Sequence, residues 1–122
     1  MDSRSAATVL CILALAACAK SDIRVAKLRP PRTESDCAIS GGKWQQDFFR
    51  NFYCFMHTTD GGKRCTSSEQ CQWACLGPYE ACWGSQNAIK GSSVVGACSE
   101  DNADFGNVVY VENGSVRCVN VE

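Results

Sequence analysis

The stretch DGGKRCTSSEQCQWACLGPYEAC, residues 60–82, holds a glycine turn, a helical signature and four cysteines. Thr66 and Glu69 have the S/T-x-x-E spacing of a capping box. In that box the Thr hydroxyl accepts from a backbone N–H three residues on, and the Glu carboxylate reaches back. Gly77 offers a C′ residue able to take positive φ, and Pro78 bars continuation. The expectation is a helix over residues 67–76. A helix this short does not persist in water on propensity alone, so it needs fastening. Cys71 and Cys75 stand four apart on one helical face, with Ala74 beside them. Two disulfides leaving that face would fasten it to whatever it packs on. Trp73 falls roughly 200° round from Cys71, at about 100° per residue. It points away from the stapled face, either under a second layer of chain or into a contact surface, where tryptophan is enriched.

The 122-residue chain has ten cysteines, a usage that belongs to oxidising compartments rather than the cytosol. Cys11 and Cys18 fall in an N-terminal apolar segment. The other eight, Cys37, Cys54, Cys65, Cys71, Cys75, Cys82, Cys98 and Cys118, are an even set and read as four disulfides. Eight cysteines permit on the order of a hundred connectivities, and spacing does not choose among them. Bridges worth about 2–4 kcal/mol each matter in a domain too small to bury a large core. Net charge is −1 but unevenly spread: residues 19–35 hold five Lys/Arg against two Asp/Glu, and residues 36–122 hold six against ten. The acidic part argues against a nucleic-acid partner. The basic part reads as a solvated linker or as a segment lying on anionic lipid headgroups.

Residues 1–17 read as a signal peptide. Arg4 gives a weakly charged start, and residues 6–17, AATVLCILALAA, are an apolar run too short to span a bilayer as a stable helix. The run ends in Leu15-Ala16-Ala17-Cys18, which resembles the bacterial lipobox. That resemblance implies cleavage before Cys18 and a lipid thioether on its sulfur. By similarity to sorting in enteric bacteria, Ala19 then implies the outer membrane, facing the periplasm. The rival is ordinary cleavage after Ala17-Cys18-Ala19, which releases the protein. Either route leaves the same eight cysteines downstream. Residues 18–35 then form the lipidated end and a tether containing Pro30-Pro31, and residues 36–122 form the globular domain.

Within the domain, residues 43–46 and the aromatic run 52–56 read as strands joined by a hairpin loop over 47–51, with Phe52, Cys54 and Met56 on one face. Nine of the eleven aromatic residues lie between Trp44 and Trp83. The expectation is that they build most of the core, since aromatics bury the most area per residue; the other reading is an exposed binding face. Residues 77–98 are loop-like, with a short strand over 93–98. Residues 108–121, VVYVENGSVRCVNV, are the clearest β signal. Asn113-Gly114 is the type I′ dipeptide between valine-rich runs. It sets Val111 against Val116, Tyr110 against Arg117 and Val109 against Cys118, with Cys118 tying the valine face to the core. The fold class expected is a small disulfide-rich α+β domain, one short helix packed on antiparallel strands that include a C-terminal hairpin.

The spacings C-x(3)-GG-x-W from Cys37 and DGGK-x-C-x(5)-C-x(3)-C from Asp60 resemble a group of small secreted or lipoprotein domains of Gram-negative bacteria. The similarity covers residues 37–119 and implies no particular activity. The residues themselves offer little chemistry. No C-x-x-C pair is present for a zinc or redox site, and His57 has no free thiol to activate. Asp101, Asn102 and Asp104 match no EF-hand spacing. Asp60, Glu69, Glu80, Asp101 and Asp104 are candidates for a carboxylate pair, but nothing in the sequence pairs them. The expectation is therefore a non-enzymatic binding or structural module of the cell envelope, with no catalytic residues, metal or cofactor. It is held to a membrane by Cys18 and meets another envelope protein, with Trp73 as the candidate contact. The alternative is a periplasmic inhibitor or immunity protein, a task that suits a rigid scaffold because little entropy is lost on binding.

Overall fold

The computed structural model describes residues 24–83 and 93–121. The apolar segment, Cys18 and Ala19 lie outside the described residues. Among the described residues the chain is a disulfide-rich α+β fold with more sheet than expected: two short helices and seven strands, the strands all paired antiparallel.

Helix α1, Glu34–Ile39, was not foreseen. Its start is written in Thr33, whose Oγ1 accepts from Asp36 N at 3.2 Å and donates to Asp36 Oδ2 at 2.8 Å, so Thr33-x-x-Asp36 works as an N-cap pair. Gly41, at φ 77°, turns the chain out of it. Strands β1, Lys43–Gln46, and β2, Phe52–Phe55, follow as the expected hairpin, with Trp44 opposite Cys54 and Gln45 opposite Tyr53. The Cys37–Cys54 bridge ties α1 to β2.

The second sheet has five strands: β3 (Arg64–Cys65), β4 (Cys75–Leu76), β5 (Gly96–Cys98), β6 (Gly106–Glu112) and β7 (Ser115–Val121), in the order β3-β5-β4-β6-β7. The β6–β7 hairpin has the expected register, Val111 to Val116, Tyr110 to Arg117 and Val109 to Cys118. Asn113 and Gly114 take φ 50° and 75°, the left-handed pair that a type I′ turn requires.

The helix expected over residues 67–76 is absent. Ser68–Gln70 form a single 3-10 turn, Cys71 is already extended, and Cys75 enters β4. The reason is covalent. Cys65 pairs with Cys75, and their Cα atoms are 5.9 Å apart. A helix filling that interval would separate its ends by roughly 13–15 Å at 1.5 Å per residue. Cys71 meanwhile pairs with Cys98 in β5. The capping box does not form either: Ser67 is the N-cap, without a side-chain cap, and Thr66 N donates to Gln70 Oε1 at 2.8 Å rather than serving Glu69.

Cystine and valine, not aromatic rings, make the core. Cys65, Cys71, Cys75, Cys98, Val94 and Val111 form the central cluster, with Val116 packed against it. The sulfurs of Cys65, Cys71 and Cys75 lie within 4.8 Å of one another, so the Cys65–Cys75 and Cys71–Cys98 bridges sit side by side. No aromatic ring is among the buried core residues, and Phe48, Phe49, Phe52, Tyr79, Trp83 and Phe105 are exposed. The disulfides took the volume that the rings were expected to fill. The fourth bridge, Cys82–Cys118, joins β7 to helix α2, Glu80–Trp83. Cys118 is exposed, so it ties the hairpin to α2 at the surface and not to the core.

Candidate functional site

With a 3-10 turn in place of the helix, the carbonyls of Cys71 and Gln72 face the segment before α1, which uses them together with that of Ser68. Leu28 N donates to Gln72 O at 2.8 Å. The Lys27 ammonium donates to Cys71 O at 2.8 Å and also to Ser68 O. The stretch read as a tether thus meets the domain from Lys27 onward. It brings Pro30, Pro31 and Arg32 to the edge of an aromatic groove.

That groove has a volume of about 410 Å³. Pro30, Pro31 and Arg32 line it together with Trp44, Phe52, Tyr53, Trp73 and Phe105. Trp44 and Phe52 come from facing strands of the first hairpin. Their planes are 4° apart with centroids at 6.2 Å, an offset parallel pair. Phe105 meets Tyr53 edge-on at 5.7 Å. Asn102 fixes the loop that carries Phe105. Its Oδ1 accepts from Met56 N at 2.9 Å and its Nδ2 donates to Cys54 O at 2.9 Å. The rings lining the groove thus lie at the surface and not in the core, Phe52 and Phe105 exposed and Trp44, Tyr53 and Trp73 half-buried, and they come from three separate parts of the chain.

Trp73 stands where this groove meets a second one of about 330 Å³, lined by Lys27, Gln72, Asp104, Tyr110, Glu112 and Arg117 among others. It is half-buried, and its Nε1 donates to Asp104 Oδ2 at 2.7 Å. The Tyr110 hydroxyl donates to the same oxygen at 3.2 Å. Arg117, opposite Tyr110 in the β6–β7 register, lies over the Tyr110 ring at 4.9 Å, a cation–π contact. Burial raises the Asp104 pKa above its ordinary 3.8. The hydrogen bonds from Trp73 and Tyr110 oppose that rise, and the charge of Asp101 adds to it. Tyr110 is pushed up to about 12, chiefly by burial, then by the Asp104 charge and hydrogen bond, with Arg117 pulling the other way.

The remaining candidate residues do not converge on this node. Glu69 and Glu80 are exposed on the 3-10 turn and on α2. Asp60 Oδ2 accepts from Gln72 N at 2.7 Å, and Asp101 Oδ1 accepts from Ala103 N at 2.9 Å. His57 bridges to Asp101 through the backbone and meets the Phe55 ring edge-on. All eight downstream cysteines pair in the four bridges. Of the residues named from sequence, Trp73 lies at the centre of the grooved face. In the sequence Asp104 reads only as a metal ligand or catalytic acid, and Tyr110 only as a strand residue. Their meeting depends on where β4 and β6 lie beside each other, which no local pattern encodes. The chain matches no known protein-family model, and no curated protein or solved structure is significantly similar to it.

Proposed function

We propose that the protein is a non-enzymatic, lipid-anchored module of a bacterial cell envelope that offers its aromatic groove to another envelope molecule, most directly a protein. The observation that carries the binding reading is the groove itself. Trp44, Phe52, Tyr53, Trp73 and Phe105 gather around one concavity instead of being consumed by the core. Concave apolar surfaces with a few fixed polar groups are where ligands and partner side chains seat. The non-enzymatic reading draws on how the carboxylates are engaged. Asp60, Asp101 and Asp104 each accept hydrogen bonds that hold the local chain. The anchor and the outer-membrane location rest on Leu15-Ala16-Ala17-Cys18 and Ala19 in the sequence, with two acyl signals required for stable attachment.

The test has two arms. Intact mass of the protein from its membrane fraction, before and after reduction and alkylation, should give a lipidated Cys18 and eight sulfurs alkylated only after reduction. Affinity capture from solubilised envelopes should then retain a defined protein on the native chain and lose it with Phe52→Ser. Identical capture by both would remove the groove from the account. An unlipidated mature chain would remove the anchor.

A further inference from the structure

At the tip of the β1–β2 hairpin Asp47 lines the groove, but Phe48, Phe49 and Arg50 belong to neither the groove nor the core. Phe48 is 91% exposed and its neighbour Phe49 is 59% exposed. Two adjacent phenylalanines in water are not the by-product of a loose loop here, because the tip is tightly built. Asp47 N donates to Asn51 O at 2.9 Å, and Arg50 N donates to Asp47 O at 3.2 Å. The Asp47 carboxylate accepts from Phe49 N and Asn51 N, both at 2.8 Å, and from Asn51 Nδ2 at 3.2 Å. Gln46 Nε2 donates to Arg50 O at 2.9 Å. Arg50 itself is held at φ 65°, a conformation unusual for a residue with a Cβ. The fold thus fixes the loop so that both rings face outward.

We propose that this tip is a second membrane contact, in which Phe48 and Phe49 enter the headgroup boundary of an anionic bilayer and Arg50 meets lipid phosphate. The proposal rests on the lipid-anchored reading above. Charge selects a lipid surface as the occupant. Asp47, the acid of the tip, directs both carboxylate oxygens at N–H groups within the loop. The Arg50 and Arg32 side chains make no hydrogen bond or ion pair among the described residues. Arg32 lines the groove alongside Asp47 and Phe52, so its charge lies on the tip's side of the domain. Two exposed aromatic rings next to the exposed Arg50 match the chemistry of the interface, apolar below and anionic above. Reach agrees. The chain is pinned to the domain at Lys27 and Leu28. The nine residues from Cys18 to Lys27 span at most roughly 30 Å, so an anchor at Cys18 keeps the domain beside the bilayer. A lipid chain with a second, weaker contact is also the arrangement that sets a domain's orientation as well as its attachment.

The experiment uses the processed full chain, purified from membranes and incorporated into phosphatidylethanolamine–phosphatidylglycerol vesicles with brominated acyl chains. Phe48→Trp is compared with Glu69→Trp, an exposed site on the 3-10 turn, each after subtraction of the native tryptophan signal. Quenching of the Phe48→Trp probe several-fold above the Glu69→Trp probe, weakened by Arg50→Glu or by replacing phosphatidylglycerol with phosphatidylcholine, is the expected result. Equal quenching of the two probes overturns the proposal. So does shielding of the Phe48→Trp probe that needs an added envelope protein extract, which would assign the tip to a protein partner. Intact mass of the same preparation reports the anchor separately. If Cys18 proves unlipidated but vesicles still quench the Phe48→Trp probe, the anchor reading fails and the tip contact stands.

Discussion

Replacing Trp73 by Phe tests the node where the two grooves meet. The substitution keeps an aromatic ring at the site and removes the Nε1–H that donates to Asp104 Oδ2 at 2.7 Å. A hydrogen bond to a charged group contributes about 1.5–3 kcal/mol. Trp73 and Asp104 are both half-exposed, so water takes over part of the lost interaction, and the lower end, about 1.5 kcal/mol, is the expected loss. For a domain of this size that corresponds to a fall in Tm of roughly 6–12 °C. The second consequence concerns Asp104. Trp73 is the larger of the two hydrogen-bond donors holding the Asp104 pKa down against burial, so Trp73→Phe should raise that pKa further. The sign for stability then follows. A carboxyl whose folded pKa lies above its unfolded value of 3.8 binds its proton more readily in the folded state. Its contribution is complete below that value and is lost as pH rises through the folded pKa. The Asp104 component of stability should therefore decline with rising pH over a wider window in Trp73→Phe than in the native chain. Thermal melts across that window, with the Asp104 carboxyl carbon followed by NMR, measure both effects. A double-mutant cycle with Asp104→Ala should return about 1 kcal/mol of coupling. A melting point within about 1 °C of native, an unmoved Asp104 midpoint and no coupling would refute the reasoning.

Other consequences are equally open to measurement. Gly96→Ala places a Cβ against the Leu76 carbonyl oxygen, with Leu76 C and Val111 Cγ2 each at 3.0 Å; the β4–β5 pairing leaves no room to yield, so denaturant unfolding should show a loss of about 1–3 kcal/mol. The Cys82→Ser/Cys118→Ser pair removes a bridge spanning 36 residues, and should lower stability by about 2–4 kcal/mol while the β6–β7 amide pattern persists in NMR spectra. Cys71→Ser opens the buried Cys71–Cys98 bridge in the central cluster, so its yield of folded protein under oxidising expression should fall far below that of the Cys82→Ser/Cys118→Ser pair. In a spectrophotometric titration the Tyr110 phenolate should form only near pH 12 and earlier in Asp104→Asn. Because its folded pKa exceeds the unfolded value of 10.0, Tyr110 adds stability that is intact below that value and lost as pH rises toward about 12.

The parts of the fold legible in the sequence are those fixed by short-range chemistry. Asn113-Gly114 can occupy the left-handed region at two successive positions, and that alone sets a register of seven residue pairs. The β1–β2 hairpin follows from alternation and β-propensity in the same way. The helix over 67–76 failed although its local signals were sound, because a cross-link between residues ten apart overrules propensity. Cysteine spacing gave the number of bridges but not the pairing, and the pairing is what decided between helix and strand. The opposite miss, α1, had a readable signal in Thr33-x-x-Asp36 that was masked by the adjoining Pro30-Pro31 and basic residues. The aromatic residues were legible as a cluster but not as a surface. Whether rings fill a core depends on what else is available to fill it, and here three buried cystines were.

The strand order β3-β5-β4-β6-β7 and the bridges that lock it bear on how the chain is made. If cysteines were oxidised in the order in which they leave a translocation pore, neighbours would join: Cys37 to Cys54, Cys65 to Cys71, Cys75 to Cys82 and Cys98 to Cys118. Only the first of these is native, since the finished protein pairs Cys65 with Cys75, Cys71 with Cys98 and Cys82 with Cys118. In that order of oxidation Cys71 and Cys82 would have to wait for partners supplied later by β5 and β7. Vectorial oxidation would therefore give a trapped isomer. The native pairing would then require that the thiols stay reduced until β7 has formed, or that an isomerase reopens the early bridges, a slow exchange compared with forming a hairpin.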